Sequence, residues 1–172
     1  MKQVIKVKML DKSIEPPCVT DKGDWIDLRA AEDVEFIGPF TIQARKDKDR
    51  YTIFSDYKMP LGVAIELPKG YEAVVNSRSS AFKNYTVMLV NGQGVIDNSY
   101  NGDNDQWFAH LIPFRDNVIK KGDRICQFRI QLSQKATCWQ KLKWLLSSGV
   151  RIKLVDKLNN SDRGGHGSTG KV

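Results

Sequence analysis

The stretch RICQFRI, residues 124–130, alternates apolar and polar side chains from Cys126 to Ile130. In an extended chain this period of two places Cys126, Phe128 and Ile130 on one face and the polar residues between them on the other. Similar alternation recurs in residues 2–10, 62–67 and 150–155. Turn-forming pairs such as Asn91-Gly92 separate these runs. Many short strands with such turns between them predict an all-β sandwich, jelly roll or barrel.

The composition indicates one domain with an excess of positive charge. The chain has 172 residues, with 27 Lys and Arg against 20 Asp and Glu, a net charge of +7. One domain is the usual arrangement at this length. The positive charge favours an anionic partner, either a nucleic acid, an acidic surface or a phosphorylated small molecule, and it also favours solubility. Charge alone does not choose among them.

The cysteines and histidines are few. Cys18, Cys126 and Cys138 are odd in number and widely spaced, which argues against a disulfide framework and indicates a reducing, cytoplasmic setting. His110 and His166 are the only histidines, so a His-rich metal site is excluded. The N-terminal alternation lacks the apolar region of a signal peptide, and no apolar run is long enough for a membrane span. We therefore expect no membrane association.

Two segments resemble insertions in the β framework. Residues 43–58 begin with a charge-dense stretch and predict an exposed loop or hairpin tip. The second insertion lies near residues 131–149, and its part 138–149 predicts a short helix. We expect the apolar face of this helix to be buried against its own domain. That face comprises Trp139, Leu142, Leu145 and Leu146.

The C-terminal residues 159–172 contain no large apolar side chain before Val172. Such a segment cannot bury enough surface to fold by itself. The sequence therefore predicts a domain over residues 1–158 and a flexible C-terminal arm over 159–172, which gains order from what it binds.

Two of the polar stretches contain charged and hydroxyl side chains. In DWIDLRA, residues 24–30, Asp27 and Arg29 share one face, which by itself fits a surface ion pair. In NSRSSAF, residues 76–82, the guanidinium of Arg78 and the hydroxyls after it can bind an oxyanion. The same serines also fit the cap of a short helix that begins near Ser79.

Two further stretches could contribute to a ligand site. In NGQGVIDNSYNGD, residues 91–103, the glycines suit a tight hairpin whose backbone approaches a planar ligand closely. Asp97 and Tyr100 follow Val95 and Ile96, which we expect to be buried. Taken alone, this stretch fits a hairpin with a surface carboxylate, and Gln127 within RICQFRI is unremarkable on a strand.

Together these stretches are far more specific. In chain order, DLRA, SRSSAF, GVIDNSYNGD, RICQF and DRGGHGSTG resemble the five motifs of trimeric dUTP diphosphatases, the dUTPases, particularly those of Gram-positive bacteria and their prophages. The motifs span residues 27–170. The resemblance implies a β-clip jelly-roll subunit and a homotrimer with shared active sites. It also implies hydrolysis of dUTP to dUMP and pyrophosphate, which keeps uracil out of DNA and supplies the precursor of thymidylate.

The resemblance also implies roles on the nucleoside side. Asp97 would orient the attacking water and accept its proton, since an ordinary aspartate is ionised at neutral pH. Tyr100 would lie against the deoxyribose and exclude a 2′-hydroxyl. Uracil would be read mainly by backbone groups of the hairpin, with contacts from Asn91, Gly94, Val95 and Ile96.

On the phosphate side, the resemblance implies that Arg78, Ser79, Ser80 and Gln127 hold the α- and β-phosphates. Asp27 would support Mg²⁺ through bound water, because this cation keeps much of its hydration. The arm would close over the γ-phosphate from another subunit. The arm residues assigned to the nucleotide are Arg163, Gly165, His166, Gly167, Ser168 and Thr169.

One position departs from the family pattern. His166 stands where the fifth motif usually carries an aromatic residue that stacks on uracil. Imidazole covers less area than a phenyl ring. We therefore hypothesise that Trp107 or Phe108, which follow the nucleotide hairpin, partly replaces this lid.

Three alternatives remain at this point. A dCTP deaminase has a similar fold but needs a proton-shuttling acid, usually Glu, and residues 101–115 contain no Glu. A regulatory protein that binds a partner such as a phage-type repressor could use the insertions, with or without enzyme activity. Specific nucleic-acid binding is disfavoured, because the aromatic residues do not alternate with Lys and Arg as in a stacking platform.

Overall fold

A computed structural model of the chain describes residues 2–19, 23–43 and 50–165. Strands dominate it, as the alternation predicts. In chain order the strands are β1 Gln3–Met9, β2 Ile26–Arg29, β3 Val34–Phe36, β4 Phe40–Gln43, β5 Arg50–Ile53, β6 Tyr57–Glu66, β7 Tyr71–Ser77, β8 Val87–Leu89, β9 Gln93–Ile96, β10 Gln106–Pro113, β11 Asn117–Ile119, β12 Arg124–Leu132 and β13 Val150–Leu154. The helices are α1 Ala81–Tyr85 and α2 Cys138–Leu145.

Two larger sheets enclose the core. One has the strand order β13-β1-β6-β10-β8, and the other has the order β2-β12-β7-β9. All their pairings are antiparallel except that of β13 with β1. One apolar cluster contains side chains from both sheets. Trp107 of β10 meets Phe128 of β12 edge-on, with ring centroids 5.2 Å apart. The predicted all-β jelly-roll class is confirmed.

Strand β12 shows the predicted alternation, with Cys126, Phe128 and Ile130 buried and Arg129 exposed. Strand β6 departs from it, because its residues 61–65 are all buried. β6 lies between β1 and β10, and its outer face is covered as well. A Cβ on Gly62, which has a φ of +64°, would meet Ile14 at 2.9 Å and Ala31 at 3.2 Å. The alternation of residues 62–67 therefore does not produce an exposed face in this strand.

The first insertion forms a hairpin, as predicted, although it begins a few residues earlier than expected. β4 pairs with β5, while the tip at 44–49 lies outside the described residues. Both faces of this ribbon are exposed, including the apolar side chains Phe40, Ile42, Tyr51 and Ile53. The ribbon is stabilised by its own pairing and not by the core.

The second insertion contains the predicted helix, but the expected burial of its apolar face is wrong. Trp139 is 74% exposed and Leu145 is 78% exposed, and α2 has no buried residue. The ring of Trp144 instead packs on Tyr71, with centroids 5.4 Å apart. A capping box orients the helix, since Thr137 and Gln140 exchange hydrogen bonds between side chain and backbone. Helix α2 therefore contacts the domain through the face that carries Trp144.

A short helix beginning near Ser79, whose cap is compatible with an anion site, was expected here. It begins at Ala81, and its N-cap residue Ser80 makes no side-chain capping hydrogen bond. Across the described parts of the chain, neither helix has the length and apolar character needed to cross a membrane.

The contact between the two sheets generates the first prediction. Phe128→Ala should lower the free energy of unfolding by about 3–5 kcal/mol, because it leaves a cavity beneath the buried Trp107. Urea unfolding followed by circular dichroism measures this loss. The matched variant Trp139→Ala removes a larger but exposed side chain. It should change the stability by less than about 1 kcal/mol, and equal losses in the two variants would contradict this account of the core.

Candidate active site

The turn after β8 opens a cleft between the sheets. β8 pairs with β10, whereas β9 pairs with β7 in the other sheet. The expectation of a tight hairpin at residues 91–96 is therefore wrong, because the two strands on either side of the turn do not pair with each other. Gly92 has a φ of +64° and donates its N–H to the carbonyl of Leu89. This left-handed conformation favours glycine and turns the chain into the second sheet.

Strand β9 is the edge of its sheet. Its register with β7 pairs Gly94 with Val75 and Val95 with Val74. In the described part of the chain no strand pairs with its other side, so alternate backbone N–H and C=O groups face outward. Val95 is 58% exposed, which corrects the expectation that it is buried. The strand therefore offers both backbone groups and an apolar side chain to a ligand.

A cavity of about 290 Å³ lies beside this edge. It is lined by eight residues that the sequence assigned to the nucleotide: Asn91, Gly94, Val95, Ile96, Asp97, Tyr100, Arg163 and Gly165. The Tyr100 hydroxyl donates a hydrogen bond of 2.8 Å to the carbonyl of Gln106, and burial raises the pKa of this tyrosine. The structure thus brings together the predicted nucleoside side and the root of the C-terminal arm.

The Asp97 carboxylate faces solvent and a cation. Its side chain is 60% exposed, and its Oδ2 lies 3.0 Å from Nη1 of Arg163. Gly165, two residues after Arg163, approaches the ring of Tyr100 closely, since a Cβ on Gly165 would meet the ring at 3.1 Å. His166, Gly167, Ser168 and Thr169 lie outside the described residues.

A second group of polar side chains, around Asp27, lies on the β2-β12-β7-β9 sheet. Asp27 binds Nε of Arg78 at 2.8 Å and Nη1 of Arg124 at 3.1 Å. The expected ion pair between Asp27 and Arg29 does not form, because Arg29 binds Glu15 and the carbonyl of Gly122. Two guanidinium groups thus share one carboxylate, which concentrates positive charge at this position.

The remaining predicted phosphate ligands join this group. Gln127 of β12 lies opposite Asp27 of β2 on one side and opposite Asn76 of β7 on the other. Ser79 and Ser80 immediately follow Arg78 and precede α1. Since the Ser80 hydroxyl is not used to cap the helix, it is compatible with an anion.

The two groups are separated within one chain. Asp27, Gln127, Asn76 and Gln93 lie in one row across the four strands. Three strand spacings amount to about 14 Å. Asp97 lies four positions beyond Gln93, a further step of about 13 Å along the strand. None of the second group lines the cavity, so one described chain does not form a complete site from both groups.

The sequence analysis missed His110, which lines the cavity, and Lys58, which contacts the lining residue Phe108. His110 Nε2 makes a close contact with the carboxylate of Asp56. Lys58 places its Nζ 4.0 Å from the centroid of the Phe108 ring. A single histidine on a strand, or a lysine in a charged insertion, gave no signal of this placement. Other lining residues that were missed are Val75, Leu89, Gln106 and Gly164.

The structure distinguishes the two candidate aromatic lids. Trp107 is 0% exposed and packs against Phe128, so it forms part of the fixed floor of the cavity. Phe108 points to the other side of β10, is partly exposed, and lies at the cavity beneath Lys58. This placement favours Phe108 over Trp107 as the residue that contacts a base.

The described residues contain no cluster of three or more metal-ligating side chains. Asp27 is a single carboxylate and already holds two arginines. This arrangement fits a cation carried mainly by phosphate oxygens and water, which is how Mg²⁺ is commonly bound.

Comparison with known proteins agrees with this geometry. Residues 40–170 match the family model for dUTPase. The chain is 48% identical over 166 residues to the SPbeta prophage-derived deoxyuridine 5'-triphosphate nucleotidohydrolase of Bacillus subtilis (strain 168), covering 96% of this chain and 97% of that protein.

Solved structures agree on the fold. The dUTPase of Streptococcus mutans superposes with a TM-score of 0.60 at 20% identity, covering 77% of this chain and 98% of that one. The dUTPase of the Staphylococcus aureus phage phi11, described with a structural Mg(II) ion, gives 0.59 at 16% identity, covering 77% and 93%. Fold and site define an all-β protein with a cavity beside the free edge of β9 and a separate polar group around Asp27 and Arg78. The chain belongs to the dUTPase family.

The cysteines give the second prediction. Burial raises the pKa of the Cys126 thiol, which is enclosed in β12 beside Gln127, whereas Cys18 and Cys138 are exposed. An aromatic disulfide reagent at pH 8 should therefore titrate two thiols rapidly in the folded protein and three in denaturant, because the thiolate is the reactive form. Rapid modification of Cys126 without unfolding would show that β12 is not enclosed as described.

Proposed function

We propose that this chain hydrolyses dUTP to dUMP and pyrophosphate, and so removes dUTP before uracil enters DNA and supplies dUMP for thymidylate synthesis. One observation carries the proposal: the Asp97 carboxylate and Tyr100 line the same cavity as the free edge of β9. A planar base, a sugar and a water-activating carboxylate can therefore occupy adjacent positions.

The edge of β9 reads the base. Uracil presents an alternating set of acceptors and an N–H donor, which an extended backbone can match with its own N–H and C=O groups. Because cytosine replaces a carbonyl by an amino group, it leaves buried groups unpaired and is rejected strongly. Thymine differs by a methyl group, so a steric contact must exclude it. Asn91, Gly94, Val95 and Ile96 provide this recognition surface.

Asp97 acts on the nucleophile. Its carboxylate orients a water molecule towards the α-phosphorus and accepts a proton as the oxygen attacks. The new bond forms between water oxygen and the α-phosphorus, and the bond from that phosphorus to the oxygen bridging the β-phosphate breaks. The electron pair leaves with pyrophosphate. Tyr100, held by its hydrogen bond to Gln106, packs on the deoxyribose and leaves no room for a 2′-hydroxyl.

The phosphates require a second copy of the chain. Arg78, Ser79, Ser80 and Gln127 suit the α- and β-phosphates, yet they lie far from Asp97 in their own chain. A homotrimer would bring this group from one subunit to the Asp97 cavity of the next, in keeping with its family. The excess positive charge of each subunit then offsets a bound triphosphate.

Mg²⁺ fits this arrangement as a companion of the triphosphate. When bound, it neutralises phosphate charge and favours a conformation open to in-line attack. Asp27 would support it through water, consistent with its position between Arg78 and Arg124.

The arm completes the site. Arg163, Gly165, His166, Gly167, Ser168 and Thr169 would close over the γ-phosphate and the base. In the single chain Arg163 contacts the Asp97 of its own subunit, and delivery of the arm to a neighbouring subunit stays a prediction. Phe108 would stack on uracil in place of the missing aromatic at His166, with Lys58 on its ring.

A second function is compatible with the first. The exposed apolar side chains of α2 and of the β4–β5 hairpin could bind a regulatory protein, such as a phage-type repressor, without blocking the cavity. We also propose a cytoplasmic location, where free thiols such as the three found here stay reduced. A dCTP deaminase is disfavoured by membership of the dUTPase family.

The third prediction concerns the nucleophile. Asp97→Asn should lower kcat for dUTP by about 10²–10⁴-fold, because the amide cannot accept the proton of water. Pyrophosphate release from dUTP, UTP, dTTP and dCTP, measured in parallel, should show rapid turnover of dUTP alone by the unmodified protein. Asp156→Asn, with a side chain 98% exposed, is the matched control and should keep full activity. Undiminished dUTP hydrolysis by Asp97→Asn would exclude the mechanism, and ammonia from dCTP would support the deaminase.

The fourth prediction concerns the base-stacking residue. Phe108→Ala should raise KM for dUTP by about tenfold, because aromatic stacking contributes roughly 1–3 kcal/mol per base. Steady-state kinetics at saturating Mg²⁺ measure the change. Phe40→Ala, on the exposed hairpin, is the control and should behave as the unmodified protein. If Phe108→Ala is silent while His166→Ala raises KM, the histidine is the lid.

A further inference from the structure

Asp105 is the buried polar residue of the described chain, with 2% of its surface exposed. Its carboxylate accepts backbone hydrogen bonds from two segments that are distant from each other in sequence, its own turn and the C-terminal arm. Gly102, in its own turn, donates at 2.8 Å. From the C-terminal arm, Arg163 donates at 3.0 and 3.1 Å and Gly164 at 3.0 Å. A buried charge held by amide groups in this way is costly to leave unpaired.

The neighbours of Asp105 extend this docking contact. Asp103 accepts the N–H groups of Leu158 at 2.9 Å and Asn159 at 3.3 Å. In return, Asp162 of the arm accepts both the backbone and the side-chain N–H of Asn104, at 2.8 and 2.7 Å. These bonds lower the pKa of Asp103 and of Asp162. Acidic groups of the turn and of the arm therefore bind each other's backbone.

The turn also fits the arm by shape. A Cβ on Gly102 would lie 2.4 Å from Cα and 2.7 Å from the backbone N of Asp162. Such contacts are far shorter than packing permits, so only glycine allows the arm to approach the turn at this point. We use the name arm dock for residues 101–105.

The arm dock lies next to the active site but is not part of its lining, since Asp105 does not border the cavity. Its effect reaches the site through Arg163, whose backbone N–H is held by Asp105 and whose guanidinium lies 3.0 Å from Asp97. Fixing the backbone of Arg163 limits where its side chain can reach, which lowers the entropy lost when it engages a phosphate.

We infer that Asp105 is a positioning residue: it anchors the root of the C-terminal arm on the arm dock and so places Arg163 over Asp97 and the triphosphate. The anchoring itself is independent of the reaction, whereas its catalytic effect rests on the proposed dUTP hydrolysis. The backbone of the arm is thus held to the turn of its own chain at Arg163 and Gly164.

Amide hydrogen exchange tests the anchoring without any substrate. In Asp105→Asn one of the two acceptor oxygens becomes an NH₂ group, which opposes the backbone N–H groups that faced that oxygen and so weakens the contact with the arm. Peptides covering 158–165 should then exchange at least about tenfold faster than in the unmodified protein, while peptides of β12 stay protected. Gly102→Ala leaves the carboxylate intact and should give the same local increase by displacing Asp162. Asp156→Asn, the exposed control, should change exchange of the arm less than about twofold.

Intact protection of the arm in a folded Asp105→Asn protein would overturn the inference. If Asp105→Asn does not fold, unchanged protection in Gly102→Ala would do so. These outcomes do not depend on whether dUTP is the substrate.

A double-mutant cycle tests the catalytic part. Asp105→Asn should lower kcat/KM for dUTP by at least about tenfold, but by less than about twofold in an Arg163→Ala background, because both changes remove the same contact. An equal loss in both backgrounds would show that Asp105 does not act through Arg163. If no variant or parent hydrolyses dUTP, the proposed function fails while the exchange experiment still decides the anchoring.

Discussion

Strand β12 is hydrogen-bonded on both sides, and its register determines where the polar side chains of the sheet lie. Pairing with β2 places Gln127 opposite Asp27, and pairing with β7 places it opposite Asn76. A slip by one residue would turn Gln127 into the core and Phe128 towards solvent. The buried contact of Phe128 with Trp107 opposes such a slip. The register of β12 therefore determines both the packing of Phe128 in the core and the position of Gln127 beside Asp27.

The same sheet separates two chemical tasks. Its β2–β12 side carries the carboxylate of Asp27 and the guanidinium groups of Arg78 and Arg124 that share it, and pairing within the sheet satisfies the backbone there. Its β9 edge presents backbone groups that no strand occupies in the described residues. Under the proposed function, the phosphates and the base of the nucleotide would therefore meet different parts of the sheet. Because both sets come from one sequence, an assembly of identical subunits can join them without any added element.

Several features followed from local patterns in the sequence. The alternation in RICQFRI predicted the buried face of β12, because a strand covered on one side has a period of two. β6 broke that rule, since Ile14 and Ala31 cover its second face through contacts that are distant in sequence. The helix α2 was predicted by the periodicity of its apolar residues, but its orientation depends on the contact of Trp144 with Tyr71, which no local pattern encodes. The pairing of β8 with β10 and of β9 with β7 likewise depends on contacts between residues that are distant in sequence.

Among the site residues, too, local motifs were predictable from the sequence and long-range contacts were not. The motifs predicted Asp97, Tyr100 and Arg78 as site residues, because their residue types and order are specific, and the structure places Asp97 and Tyr100 at one cavity but not Arg78. They did not reveal that Phe108 and Lys58 meet at the cavity, or that Asp105 is buried, since both depend on the approach of separate strands and of the arm.

The close approach of Gly102 to Asp162 has an evolutionary consequence. A side chain larger than hydrogen in the turn would collide with the backbone of the arm, whatever residue stands at position 162. The steric constraint therefore falls on the turn, which must keep glycine at position 102, while the residue at position 162 of the arm is sterically free to vary. Recombination that exchanges the 3′ end of such a gene between related genomes would preserve the contact wherever the turn keeps this glycine and the incoming arm follows the same backbone path.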